Sequence, residues 1–344
     1  MKKKKVTFNS MRTIKEVIDE LSDKHIKPYD AESHFYDYTE NEESSLKSLF
    51  DEFFHFGQEY LDRDDLEFNI KPARLYYSTN TGLNALARKV NDYYLVEIYM
   101  GTIAWMENFY SSMEDKFNQD GLQHYQNISQ LRGVTPGKFL LQLATIYYFY
   151  HEVGHLIQRS GQDADYVEYL QNECEGDEIA IRHMRELDAD WNSAYCMALH
   201  LKQFAEVESN GDYLVDPAIL LEIAALGLAA MYMYFINRTD KNPVIYYQEK
   251  CHPHPSVRLS YMLVFVLDNL QANVPYPIDK NEILKKAIMI SEILMKDGEN
   301  NIIEEYSKAL LKEIKKVEDY IKKVMGDTEN YAYLCKHILV PPVK

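Results

Sequence analysis

His151-Glu152-Val153-Gly154-His155 is the stretch on which the reading of this chain turns. Its setting predicts a helix. Thr135 is a capping residue, Pro136 suits a first turn, and an apolar run from Phe139 to Tyr150 leads through the pentapeptide and stops near Gly161. A helix places residues i and i+4 on one face, so His151 and His155 can hold one ion between them. Glu152 lies roughly 100° further round, close enough to reach a water on that ion.

HExxH recurs by chance in helices, so a second stretch has to decide. Glu186-Leu187-Asp188-Ala189-Asp190 lies in a periodic segment, Asp177 to about Val207, that also predicts helix. Glu186 and Asp190 share a face. One carboxylate can complete a two-His, one-Glu set that leaves the fourth position of a tetrahedral zinc open to water. The other can hydrogen-bond the far nitrogen of a ligating His and fix its tautomer. One zinc per chain is the expectation. Asp188 falls on another face and reads as a solvated acid. His183, one turn before Glu186, is a rival third ligand.

The rest of the chain sets the frame. Its 344 residues suffice for a sizeable core, and 37 Lys plus Arg stand against 54 Asp plus Glu, a net charge of -17. That balance disfavours nucleic acid and anionic membrane surfaces as partners. The 28 Tyr then read as amphipathic packing rather than base-stacking platforms. Cys174, Cys196, Cys251 and Cys335 form no CxxC pair and read as free thiols in a reducing compartment, which points to the cytoplasm. Met1 to Lys5 is basic, but no apolar signal-peptide core follows.

Thr13 to Leu21 predicts a short helix, Lys24 to Glu43 a polar loop, and the stripe from Leu46 to Tyr60 a second helix. Ala73 to Tyr77 reads as a strand. Leu83 to Val90 and Tyr93 to Met100 read as a hairpin across Asn91-Asp92. An exposed edge strand beside a metal cleft could hold a peptide in extended form. Gly101 to Lys116 looks helical and Gln119 to Gly133 a polar connection. Ala218 to Ile236 is long enough to cross a bilayer, but Glu222 and the interior Tyr232 and Tyr234 favour a buried helix over membrane contact. Helices are expected from Ser256 to Leu270 and Glu282 to Lys296, the latter ended by Asp297-Gly298, then along the stripe Ile303, Leu310, Ile314, Val317, Ile321, Val324. An extended Val340 to Lys344 should follow. The expected fold is mainly α with a small β-sheet (α+β). It divides into an N-terminal helical and loop region 1–70, a metal-binding core 71–270 and a helical C-terminal extension 271–344.

Several motifs fall in a telling order: Asn84-Ala85-Leu86-Ala87, Ile98-Tyr99-Met100-Gly101, the HEVGH pentapeptide, Arg185 to Asp190, then His252-Pro253 with Arg258-Leu259. This order resembles the HtpX-like and CAAX-prenyl-protease type of zinc metallopeptidase, within the gluzincins, across roughly residues 80 to 265. The gap from HEVGH to Glu186 is shorter than is usual there, and the flanking membrane helices are not obvious. In these respects the chain is also similar to the Lit-type phage-exclusion peptidases and the ImmA/IrrE-type regulators of bacteria. The resemblance implies a minimal zincin core with His151, His155 and Glu186 as ligands, Glu152 as general base and Asp190 behind a ligating His. It also directs attention to Cys251-His252-Pro253-His254-Pro255 for a donor to the oxyanion, with His252 at the family spacing from Arg258 and His254 as competitor. The implied activity is zinc-dependent hydrolysis of peptide bonds in intracellular proteins, in bacterial stress response or phage defence. The alternative is a regulatory or binding protein that uses the same scaffold around a structural zinc.

Overall fold

Thr13 opens the first helix, α1 (Ile14–Asp23), with a capping box: its hydroxyl accepts the Glu16 N–H while the Glu16 carboxylate accepts the Thr13 N–H. The computed structural model describes residues 12–40, 46–131, 133–160, 165–167, 176–209, 212–237, 243–296, 301–326, 328 and 331–339. Over these residues the fold is α+β, mainly helical with a small sheet, as expected. It divides into two compact units: Met1–Glu107 with Arg159–Glu168, and Asn108–Gln158 with Tyr169–Lys344. The strands between residues 73 and 99 therefore group with the N-terminal helices, and the C-terminal helices group with the HExxH stretch.

The first unit contains α1, α2 (Lys47–Asp62) and a sheet of β1 (Ala73–Ser78), β2 (Ala85–Val90), β3 (Tyr93–Tyr99) and the short β4 (Tyr166–Val167), ordered β1-β3-β2-β4. β2 and β3 make the expected hairpin, with Val90 opposite Tyr93. Asn91 in its turn has φ 53, a left-handed conformation that Asn tolerates. β1 runs parallel to β3, with Ala73 opposite Tyr94. The three long strands are buried on both faces, and the charged side chains they carry, Arg74, Arg88, Lys89 and Glu97, are buried with them. α1 and α2 pack on β1.

The second unit is helical. α3 (Met100–Ser111) leads into it, and α4 (His124–Leu131) occupies the stretch read as a polar connection. The reason is Leu122 and Tyr125, which are fully buried and anchor that segment. α5 (Pro136–Ile157) starts where expected, with the Thr135 hydroxyl accepting the Lys138 N–H, and is buried almost all round. α6 (Asp177–Ala205) ends short of Val207, where the chain turns into the hairpin β5 (Glu206–Ser209) and β6 (Asp212–Val215).

α7 (Pro217–Asn237) is, among the described residues, the one helix long and apolar enough to cross a membrane, and 83% of its apolar window is buried. It packs against α5, α6, α8 (Pro255–Ala272) and α9 (Lys280–Met295). Its one acid is paired: Glu222 accepts from Tyr125 Oη at 2.6 Å and meets Lys286 Nζ at 2.8 Å. α10 (Ile302–Gly326) lies against α6, α8 and α9. Its buried face is Ile303, Tyr306, Val317, Tyr320 and Val324; Ile314, read as part of the stripe, is 38% exposed because two tyrosines turn the face aside. α11 (Cys335–Leu339) was not foreseen and ends the described chain. Met1 to Lys5, Cys174, Asp297-Gly298 and Val340 to Lys344 lie outside the described residues.

One cysteine reading is corrected. Cys196 and Cys335 are free and buried, but Cys251 is disulfide-bonded. The pairing has no local spacing signal, since the fold rather than the sequence interval brings cysteines together.

Candidate metal centre

Two helices meet at the site. α5 contributes His151, Glu152 and His155, and α6 contributes Glu186 and Asp190, all buried. The helices approach closely because Gly154 faces Ala189. A Cβ at 154 would lie 2.9 Å from the Ala189 Cα, nearer than side chains pack. Glycine at this position is therefore what lets the third candidate ligand reach the two histidines.

The geometry converges. His151 Nε2 and His155 Nε2 stand 3.2 Å apart. Glu186 places one oxygen 3.5 Å from His151 Nε2 and the other 3.7 Å from His155 Nε2. His151, His155 and Glu186 thus form a buried group that could hold a metal ion. Behind it, Asp190 Oδ1 lies 3.0 Å from His151 Nδ1, on the side away from the cluster.

Arg258, one turn into α8, closes the rear. It grips Asp190 with two hydrogen bonds, Nε to Oδ2 at 2.8 Å and Nη2 to Oδ1 at 2.7 Å, and places Nη1 3.1 Å from Glu186 Oε2. Tyr147, one turn before His151, donates to Asp190 Oδ1 at 3.1 Å and accepts from Arg258 Nη2 at 3.1 Å. Burial opposes ionisation of both carboxylates, yet Arg258 holds Asp190 below its usual range, and His252 with Arg258 holds Glu186 well below. Burial and Arg258 also disfavour a charged His151. Asp190 and Glu186 outweigh them and raise it to about 10. A cation bound at its Nε2 takes the place of that proton.

The two histidines in the 251–255 stretch separate cleanly. His252 reaches the cluster, with Nδ1 3.3 Å from Glu186 Oε1 and half of its side chain exposed. His254 caps α8 instead: its Nδ1 accepts the Ser256 N–H at 3.0 Å, and its ring meets Tyr246 edge-on at 4.7 Å. His183 is not a ligand. Its two nitrogens contact Tyr320 Oη at 2.6 Å and the Lys250 carbonyl at 2.9 Å, which pins the loop leading to His252.

Asp188 corrects the reading of a solvated acid. It has no exposed surface and accepts from Gln158 Nε2 at 2.8 Å and the Cys335 N–H at 2.8 Å. α11 covers that face of α6, which helical periodicity in α6 alone could not reveal. Gln158 and Tyr147 had a signal that went unused: they sit at i+3 from His155 and i−4 from His151, the spacings that share a helix face. Arg258 belongs to the motif order, but its contacts with Asp190 and Glu186 arise only in the fold.

No family model, curated protein or solved structure matches this chain.

Proposed function

We propose that the chain is a zinc-dependent endopeptidase that hydrolyses peptide bonds in protein substrates. One observation carries the reading: two imidazole nitrogens and a carboxylate converge in a buried site, and Glu152, next in sequence to His151, is buried as well. A tetrahedral ion with bonds of about 2.0–2.1 Å sets its ligand atoms roughly 3.3–3.4 Å apart. The two imidazole nitrogens stand 3.2 Å apart, one Glu186 oxygen lies 3.5 Å from His151 Nε2 and the other 3.7 Å from His155 Nε2, and one ligand atom from each residue lies within 4.8 Å of the others. The donor set, two His and one Glu, also leaves a coordination position for water, which a structural site closes with a fourth protein ligand.

Zinc bound there supplies an acidified water and polarises the substrate carbonyl. The remaining work falls to the chain. Glu152 takes the proton of the attacking water and hands it to the leaving amine. Asp190 accepts from His151 Nδ1 and so keeps Nε2 for the ligand role. Arg258 holds Asp190 and Glu186 in register through its forked guanidinium. His252, on the open side, donates to the oxyanion as the carbonyl becomes tetrahedral. A setting in bacterial stress response or phage defence rests on the motif order alone.

Digestion of unfolded proteins and peptide libraries with and without a chelator tests the reading. Cleavage should stop with chelator and return with added zinc. Glu152→Gln should keep its zinc and lose about 10²–10⁴ in rate, the usual worth of general-base assistance. Wild-type cleavage by that variant, or cleavage indifferent to chelator, sinks the proposal. A protein that holds zinc tightly but never cleaves would turn the reading to the binding-protein alternative.

A further inference from the structure

His155 Nδ1 lies 3.2 Å from Gln158 Oε1, with both residues buried. Heavy-atom positions alone do not say which atom carries the proton. The surroundings of Gln158 do. Its Nε2 lies 2.9 Å from the Arg185 carbonyl and 2.8 Å from Asp188 Oδ2. An amide NH₂ has two hydrogens, and these two acceptors take both. A flipped amide would press its oxygen against a carbonyl and a carboxylate at once. The oxygen therefore faces His155, and Nδ1 must be the donor. That leaves the lone pair on His155 Nε2, the atom 3.2 Å from His151 Nε2 and 3.7 Å from Glu186 Oε1. This is the tautomer that a histidine bound through Nε2 requires.

The arrangement reaches further. Asp188 Oδ2 also accepts the Cys335 N–H at 2.8 Å, and Oδ1 the Lys336 N–H at 3.3 Å. Cys335 Sγ donates to the Gly154 carbonyl at 3.2 Å, inside the HExxH pentapeptide. The backbone of α11 thus holds Asp188, Asp188 orients Gln158, and Gln158 sets His155.

We propose that Gln158 is a positioning residue of the metal centre, and that docking of α11 on Asp188 sets the tautomer and metal affinity of His155. The inference rests on reading His151, His155 and Glu186 as a metal centre, and it makes the C-terminal helix part of that centre. The two histidines are then backed by unlike groups, His151 by a carboxylate and His155 by a neutral amide that is itself anchored to a distant part of the chain.

The test uses the full chain as wild type, Gln158→Met, Asp188→Asn and Cys335→Pro. Proline is tolerated at the first position of α11, where it removes both Cys335 contacts, the N–H toward Asp188 and the thiol on the Gly154 carbonyl, so it serves if Asp188→Asn does not fold. Zinc affinity is measured by competition with a chromophoric chelator, and the tautomer of His155 by nitrogen-15 NMR of the metal-free protein. Wild type should show His155 protonated at Nδ1. Gln158→Met should show a tautomer mixture and bind zinc about 10–100-fold more weakly, with Cys335→Pro changing both in the same direction. Wild-type affinity in Gln158→Met overturns the proposal and leaves the metal reading intact. Lost affinity with an unchanged tautomer assigns Gln158 to packing and overturns it as well. Unchanged affinity in Cys335→Pro removes α11 from the centre. Wild type that takes up no zinc overturns both readings.

Discussion

Each unit of this molecule buries an arginine, a carboxylate and a tyrosine together. In the sheet unit, Glu97 has no exposed surface, accepts from Tyr76 Oη at 2.6 Å and lies 3.3 Å from Arg88. In the helical unit, Asp190 has no exposed surface and holds Tyr147 and Arg258 in the same way. The difference lies in what faces the cluster. Glu97 accepts the Tyr29 N–H at 2.9 Å and Arg88 donates to the Lys27 carbonyl at 2.7 Å, so those groups tie the 27–29 segment to the sheet. Asp190 and Arg258 back onto His151, whose Nε2 looks toward a second imidazole and a second carboxylate. A buried ion pair is therefore architecture in both units. What marks the site is the convergence of two imidazoles on a second carboxylate, with Arg258 Nη2 3.2 Å from His151 Nε2 behind them, in a group that could hold a metal ion.

The largest effect should fall on the helical unit. Glu186→Ala should abolish zinc uptake, read as metal per chain after dialysis, because it removes one of three ligands. Full occupancy in that variant would take Glu186 out of the site. Glu97→Gln should instead cost stability, about 3–5 kcal/mol, by leaving Arg88 buried without its counter-charge. Denaturant titration measures that loss, and zinc uptake of the folded fraction should match wild type. If zinc uptake falls, the two clusters are not separate in role. Asp190→Asn should weaken zinc by about 10–100-fold without abolishing it, since it disturbs the orientation of His151 and not a ligand atom; wild-type affinity would contradict that role.

The smallest effect concerns His200, a half-buried histidine outside the site. His200 sits beside Tyr150 Oη at 3.1 Å, and burial lowers its pKa to about 4, the reverse of His151 beside its carboxylates. The unfolded chain, with His near 6.5, binds more protons than the native state between those values. Stability should then fall as pH drops from about 6.5 to about 4, and this contribution should be flat above about pH 6.5. His200→Gln should shallow the slope in denaturant melts taken across that range. An unchanged slope would show that His200 is not among the groups responsible.

What could be read in advance followed from short-range rules. The α5 start at Thr135-Pro136, the ligand spacing on α5 and α6, and the β2–β3 hairpin at Asn91-Asp92 each depend on residues a few positions apart. What could not be read depends on distant partners. Asp188 looked solvated because its cover, α11, comes near the end of the chain. Tyr125 turned a polar connection into α4 because it reaches Glu222 on α7. The parallel pairing of β1 with β3 and the disulfide at Cys251 likewise have no local signature. Glu222 shows both sides: its presence argued for burial, but its partners Lys286 and Tyr125 appear only in the fold.

Gly154 occupies one of the two positions that the HExxH pattern leaves blank, yet here it works as a spacer gauge. The obstacle nearest to a Cβ at 154 is the Ala189 Cα, part of the backbone, so shrinking residue 189 to glycine would not make room for alanine at 154. The aperture between the ligand-bearing helices is thus calibrated by main chain against main chain, beyond the reach of compensating side-chain changes on α6. Widening it means altering residue 154 itself, whose added Cβ would have to push the Ala189 backbone away. The spacing of the two helices that carry the His-His-Glu group is thus set at a residue outside that group.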